Sequence, residues 1–171
     1  LTHLKTYTID DYETIEIDDA ISLEKLSDTY KIWIHIASPA SYIKYDSILD
    51  KNARKLINTL YLCTKTTYMF PEVLINEIFS LTNNDTRISL SLGVIFNNDG
   101  SVYSSELVET LIKTNYRLSY DDADELIEYS PKEEEDLFII SRILKKRNNW
   151  RKTNGAIEIL ESSGKIILKG N

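Results

Sequence analysis

The sequence predicts an α+β fold: a mainly antiparallel mixed sheet or partial barrel with flanking helices. Three observations carry this. Runs rich in β-branched and aromatic residues recur along the chain, the clearest being Tyr30–Ala37. The string Asn97-Asn98-Asp99-Gly100 joins two long runs of this kind and marks an antiparallel hairpin, because Asn, Asp and Gly tolerate the backbone of a tight turn. Segments with helical apolar spacing or capping signals accompany the strands.

Taken in order, Thr6–Asp10 and Ala20–Leu23 read as short strands around an acidic bend. Tyr30–Ala37 is the next strand, closed by Ser38-Pro39, and Asp28-Thr29 ahead of it predicts a hairpin-like return. Ser47 caps a helix reaching Leu60, with Ile48, Leu49, Ala53, Leu56, Ile57 and Leu60 on its apolar face. Tyr61–Pro71 is extended and loop-like, and Pro71-Glu72-Val73-Leu74 opens a short helix. Arg87–Phe96 and Ser101–Ile112 form the long hairpin. Ser119 caps a helix to about Tyr129, and Pro131 starts a longer one. That last helix runs from an acidic first turn (Glu133, Glu134, Glu135, Asp136) to a basic stretch (Lys145, Lys146, Arg147), a polarity that suits the helix macrodipole. Gly155 precedes a final hairpin formed by Ala156–Leu160 and Lys165–Leu168.

The 171 residues fit one domain, 42% hydrophobic and 27% charged, as ordinary globular proteins are. There is no apolar run of membrane-spanning length. One cysteine, Cys63, rules out an internal disulfide framework and makes a reducing, cytoplasmic setting the expectation. A net charge of −7 argues against an unspecific grip on a polyanion by this chain alone, although bound cations would invert the charge locally. The chain opens at Leu1 without Met and stops soon after Ile166-Ile167-Leu168, which predicts that it belongs to a longer polypeptide.

The chemistry concentrates in residues 8–20, where Asp10, Glu16, Asp18 and Asp19 are interleaved with Ile9, Ile15, Ile17 and Ile21. Solvated acidic loops do not alternate with isoleucine, so these acids are expected where water is scarce. Crowded, poorly hydrated anions need a cationic partner. A divalent cation with hard oxygen ligands meets that need, and magnesium or manganese suits carboxylates. In an extended segment Glu16 and Asp18 share a face, and a bend around Asp11-Tyr12-Glu13 brings Asp10 to them. The competing reading is a plain acidic turn. His35, mid-strand, is expected to be a satisfied core histidine; Trp33 and Phe79 are expected in the core, and Lys145, Lys146, Arg147 and Arg151 on a solvated helix end.

Thr8-Ile9-Asp10 followed by Glu16-Ile17-Asp18-Asp19-Ala20-Ile21-Ser22 resembles the metal-binding signature of the RNase II/RNase R exoribonucleases, T-I-D, a spacer, then D-x-D-D-A. The likeness continues through Trp33–Ala37, Leu49-Asp50, Ala53-Arg54, Tyr61-Leu62, Met69-Phe70-Pro71, Ser80-Leu81, Arg87 with Ser91, Asp99-Gly100, Arg117-Leu118-Ser119-Tyr120 and Gly155-Ala156-Ile157. Glu16 departs from the family's usual Asp, Ser38 from an Asp, and Cys63 from a Pro.

The resemblance implies that residues 1–171 form the N-terminal part of such a catalytic domain. It implies hydrolytic, 3′→5′ removal of nucleotides from single-stranded RNA as nucleoside 5′-monophosphates, with Mg2+ or Mn2+ as cofactor. Asp10, Glu16, Asp18 and Asp19 would be metal ligands, Asp18 also the catalytic residue, and Tyr61 the aromatic that stacks on an RNA base. The second half of the domain, with its RNA-cleavage arginine, and the cold-shock and S1 modules would lie outside this chain. The isolated chain is accordingly expected to bind metal yet be slow or inert, and its cut sheet edges to invite self-association. The rivals are a non-catalytic RNA-binding or regulatory module on the same fold and a different metal-dependent phosphatase or DNA nuclease.

Overall fold

A computed structural model describes residues 1–62, 64–82 and 85–159. The chain runs β1 (Thr6–Ile9), β2 (Asp19–Lys25), β3 (Tyr30–Ala37), α1 (Ile48–Leu56), β4 (Leu60–Tyr61), β5 (Thr66–Thr67), α2 (Glu72–Leu74), β6 (Thr86–Phe96), β7 (Val102–Lys113), β8 (Tyr116–Leu118), α3 (Tyr120–Tyr129) and α4 (Glu135–Thr153). Six strands make one sheet in the order β7-β6-β3-β2-β1-β8, and β4-β5 form a separate two-stranded ribbon. Every pairing in the large sheet is antiparallel except β1 with β8. The α+β, mainly antiparallel expectation holds.

Strand alternation decides what each face buries. On one face Tyr7, Leu23 and Ile32 pack with Leu137 and Ile140 of α4. On the other, Ile17, Ala20, Leu81 and Ile112 form a second cluster, with Leu1 and Ala37 against it. Trp33 lies beside Gly93 in register, and a Cβ at Gly93 would stand 2.8 Å from the indole, so only glycine admits that ring. A polar chain also crosses five adjacent strands inside the sheet. Thr6 Oγ1 meets Ser22 Oγ (2.8 Å), Ser22 meets His35 Nε2 (2.9 Å), His35 Nδ1 meets Ser91 Oγ (2.7 Å), and Ser91 meets Thr110 Oγ1 (2.5 Å). His35 is fully buried, and both ring nitrogens are satisfied, as a core histidine requires. Trp33 and Phe79 are buried as expected.

Several boundaries differ from the sequence reading. α1 stops at Leu56 instead of Leu60: Ile57 takes a positive φ of 70°, and Leu60 already pairs in β4. Ser47 caps α1 as expected, accepting from the Asp50 N–H. α2 runs on into a π-helical turn at Ile75–Phe79. Pro131 opens a 3-10 turn, Lys132–Glu134, ahead of α4. The last turn of α4 carries Arg151 and Lys152, so Lys145–Arg147 lie inside the helix. Its acidic start binds specific partners: Lys5 meets Glu134 at 3.1 Å, and Lys25 meets Glu135 at 2.9 Å and Asp136 at 3.3 Å. The final hairpin is not formed over 156–159, which carry no strand; Leu160 and 165–168 lie outside the described residues, as does Cys63.

Candidate active site

The acidic bend joins β1 to β2 at one end of the sheet. Asp10 leaves β1 with its N–H donating to the Leu118 carbonyl (3.1 Å), and a turn closes where the Thr14 N–H meets the Asp11 carbonyl (2.9 Å). The returning limb is pinned from below. Ile17 is fully buried, its carbonyl accepts from the Leu81 N–H (2.9 Å), and its N–H donates to Ser80 Oγ (3.2 Å). Burying Ile17 leaves its neighbours Glu16 and Asp18 at the surface. The Asp18 carbonyl then accepts from the Ala37 N–H (2.7 Å), and Asp19 starts β2 opposite Ile36. Of the interleaved isoleucines only Ile17 is fully enclosed, and Ile15 is half exposed.

The four carboxylates named from the sequence lie within electrostatic reach of Asp18, without meeting at a single point. Burial pushes the Asp18 carboxyl up to about 6, reinforced by the charges of Glu16, Asp19 and Asp10. Asp18 and Asp19 are nevertheless exposed, against the expectation that these acids sit where water is scarce, because only Ile17 between Glu16 and Asp18 is drawn into the core; like charge therefore shares the effect on Asp18 with local crowding. Asp10 is also raised, first by burial and then by Asp19, with Arg117 opposing. Asp10 Oδ2 is buried and lacks a hydrogen-bond partner among the described residues, a costly state for a carboxylate oxygen. No three acid, imidazole or thiol side chains among the described residues converge as a metal shell would require. Uncompensated carboxylates repel, and these are coupled without being closed around a point.

One neighbour, Arg117, escaped the sequence reading as a site residue, and another, the predicted Tyr61, gains a specific partner. Arg117 on β8 donates through Nη2 to the carbonyls of Thr14 and, at 3.4 Å, Tyr12, and so straps the bend. Its charge opposes the rise of the Asp10 carboxyl without cancelling it; Lys5 and Lys25, near in sequence, are drawn to α4 instead. Its motif was visible as Arg117-Leu118-Ser119-Tyr120, but parallel pairing of β8 with β1 brings it here. Tyr61 donates its hydroxyl to Glu16 Oε2 (3.0 Å); burial first, and then this bond, push its phenol up to about 12. Tyr61 is 67% exposed and so lies outside the core. Tyr61, Thr66 and Tyr68 face Glu16 across a depression of about 300 Å3, and Tyr12 stands 87% exposed at the apex of the bend.

No helix among the described residues is long and apolar enough to cross a membrane. Comparison with known proteins finds the RNB domain matching residues 1–171. Ribonuclease II, chloroplastic/mitochondrial, of Arabidopsis thaliana is 37% identical over 170 residues, covering 98% of this chain and 21% of that protein. Mycoplasma genitalium RNase R, solved in complex with ribose-methylated single-stranded RNA, superposes with a TM-score of 0.84 at 22% identity over 99% of this chain and 27% of its own. Yeast Ssd1, a pseudonuclease, shares the fold at a TM-score of 0.73 and 18% identity, over 85% of this chain and 18% of its own. The chain thus spans about a quarter or less of these proteins. On the match along its whole length, it belongs to the RNB-domain family.

Proposed function

We propose that this chain forms the metal-binding part of a 3′→5′ hydrolytic exoribonuclease that degrades single-stranded RNA to nucleoside 5′-monophosphates. The electrostatics of the acidic bend support it: Glu16, Asp19 and Asp10 all raise Asp18, Asp19 also raises Asp10, and one buried oxygen of Asp10 has no partner among the described residues. The donor set is entirely hard oxygen and so fits magnesium or manganese. When bound, such ions offset charge on the attacking and leaving oxygens of a phosphodiester and lower the pKa of an attacking water.

The residues of the chain divide the remaining work. Asp10, Glu16, Asp18 and Asp19 would hold the ions, with Asp18 central because the other three acids all act on it. Tyr61 orients Glu16 through its hydroxyl while its exposed ring offers a stacking surface for an RNA base. Arg117 keeps the bend in shape. Its Nη2 is committed to the Thr14 and Tyr12 carbonyls, and we assign the cation needed on the non-bridging phosphate oxygens to the rest of a longer protein, so that this chain alone would be slow or inert. The single cysteine accords with a cytoplasmic setting.

The full-length protein with manganese and single-stranded RNA should release mononucleotides from the 3′ end. Asp18→Asn should lower turnover by at least a thousandfold while RNA affinity stays within a few-fold; unchanged turnover would remove Asp18 from the mechanism. The second reading, an RNA-binding module without chemistry, is favoured by the shared fold of a pseudonuclease and by the open arrangement of the carboxylates. Tight RNA binding with no mononucleotide released would establish it.

A further inference from the structure

At the far end of the sheet the charge reverses. Between Arg142 and Thr153, α4 carries Arg142, Lys145, Lys146, Arg147, Arg151 and Lys152 and no acid, in a chain whose net charge is −7. The macrodipole accounts for Arg151 and Lys152 in the last turn, but its influence does not extend to Arg142 and Lys146. These two are four residues apart, a spacing at which like charges repel on a helix face. Among the described residues neither head group meets a carboxylate. Arg142 lies over the Phe138 ring at 5.8 Å.

Both cations border a cavity of about 270 Å3 enclosed by α4, the start of β3 and the β6–β7 turn. Its apolar wall includes Tyr30 and Phe96, the latter packed against the core, so the wall is fixed. Asn97 and Asn98 supply polar groups, and no acid lines it. The turn is held in place. Arg147 donates to the Gly100 carbonyl (3.3 Å), and Gly100 lies so close to α4 that a Cβ there would fall 2.6 Å from the Lys146 carbonyl carbon. An aromatic surface, amides able to meet a base edge, and two cations with no carboxylate partner among the described residues together match one ligand chemistry, a phosphate-bearing nucleotide.

We propose that this cavity is a second nucleotide site, in which Arg142 and Lys146 take the phosphate and Tyr30 and Phe96 the flat base. It rests on the reading of the protein as one that handles RNA. β3 alone, eight residues long, sets this cavity about 23 Å from the acidic bend, so one RNA strand cannot use both ends with adjacent nucleotides. The occupant is therefore either a nucleotide well upstream in a bound strand or a free nucleoside monophosphate.

The test uses the full-length protein carrying Asp18→Asn, so that RNA is not consumed, and compares it with the same protein also carrying Arg142→Gln and Lys146→Gln. Adenosine 5′-monophosphate, a trinucleotide and a long oligoadenylate are titrated by calorimetry. Loss of at least tenfold in monophosphate affinity identifies a free-nucleotide site. Loss of at least tenfold for the long strand alone, with the slope of log K against log salt shallower by about 1, identifies an upstream strand contact. Lys145→Gln removes a neighbouring charge that does not line the cavity and should change neither. Unchanged affinity for all three probes in the double variant, or an equal loss with Lys145→Gln, overturns the site. Because turnover plays no part, failure here leaves the proposed exoribonuclease activity untouched, and failure of that activity would leave a positive binding result standing.

Discussion

At the scale of single residues, two titrating side chains push the stability of the fold in opposite directions as pH falls. Burial holds His35 down to about 4 from its usual 6.5, with the chain's amino-terminal charge a lesser cause. The folded state thus prefers neutral imidazole. Its contribution is complete above pH 6.5 and is lost as pH falls toward 4, amounting to about 3 kcal/mol over the shift. Asp18 behaves oppositely: its carboxyl is raised from 3.8 to about 6, so ionisation costs the metal-free fold stability above pH 6 and costs nothing below 3.8. Solvent contact limits this second effect to on the order of 1 kcal/mol. His35 outweighs Asp18, so the metal-free protein should lose stability between pH 6.5 and 4. Asp18→Asn should be the more stable at pH 7, converge with the unsubstituted protein near pH 3.8, and show the steeper acid loss. Urea unfolding in a chelator at several pH values checks all three; flat stability across the window would mean that His35 is not held neutral.

At the scale of elements, legibility followed how local the determining physics was. β3 runs over Tyr30–Ala37 as its own residues demanded, and α3 begins at the Ser119 cap, completed by a reciprocal bond with Asp122. α1 kept its apolar period through Leu60 in sequence, yet stops at Leu56 because Leu60 pairs with Thr67. Tertiary pairing overrode periodicity there, and no window of sequence contains the partner. The acid cluster was legible because its spacing lies within ten residues. Arg117, more than a hundred residues from Thr14, was not, since only β1–β8 pairing unites them. The β6–β7 turn offers a test at this scale. Gly100 has φ +90° and faces the α4 backbone, whereas Gly155 has φ +88° and open space around it. Gly155→Ala should cost about 1 kcal/mol for backbone strain alone. Gly100→Ala adds a clash with backbone that cannot rotate away, for a total of about 2–4 kcal/mol. Equal losses in denaturant unfolding would show that the turn does not rest on α4.

At the scale of the whole molecule, the ion pairs decide where uncompensated charge remains. Lys5 and Lys25 flank the acidic bend in sequence, but α4 draws both to its own acidic start. Among the described residues, the bend is left with Arg117 as the cation that acts on Asp10 and with an Asp10 oxygen that no group satisfies. A fold with an unmet demand of this kind is stabilised by whatever meets it. A cation that binds only the folded state adds RT ln(1 + [L]/Kd), about 2.7 kcal/mol at a hundred times its Kd. Manganese should therefore raise the unfolding midpoint of the protein. Sodium chloride at matched ionic strength screens the same repulsion without occupying a site, and should give a smaller rise. Asp10→Asn separates the two effects: it lowers the charge of the bend, which relieves repulsion, yet replaces an anionic ligand by a neutral amide, which removes most of the manganese-specific part. Thermal scans of both proteins in chelator, in sodium chloride and in manganese measure this directly. An equal shift from either salt, or a full manganese shift in Asp10→Asn, would mean that screening alone relieves the bend and that Asp10 holds no ion.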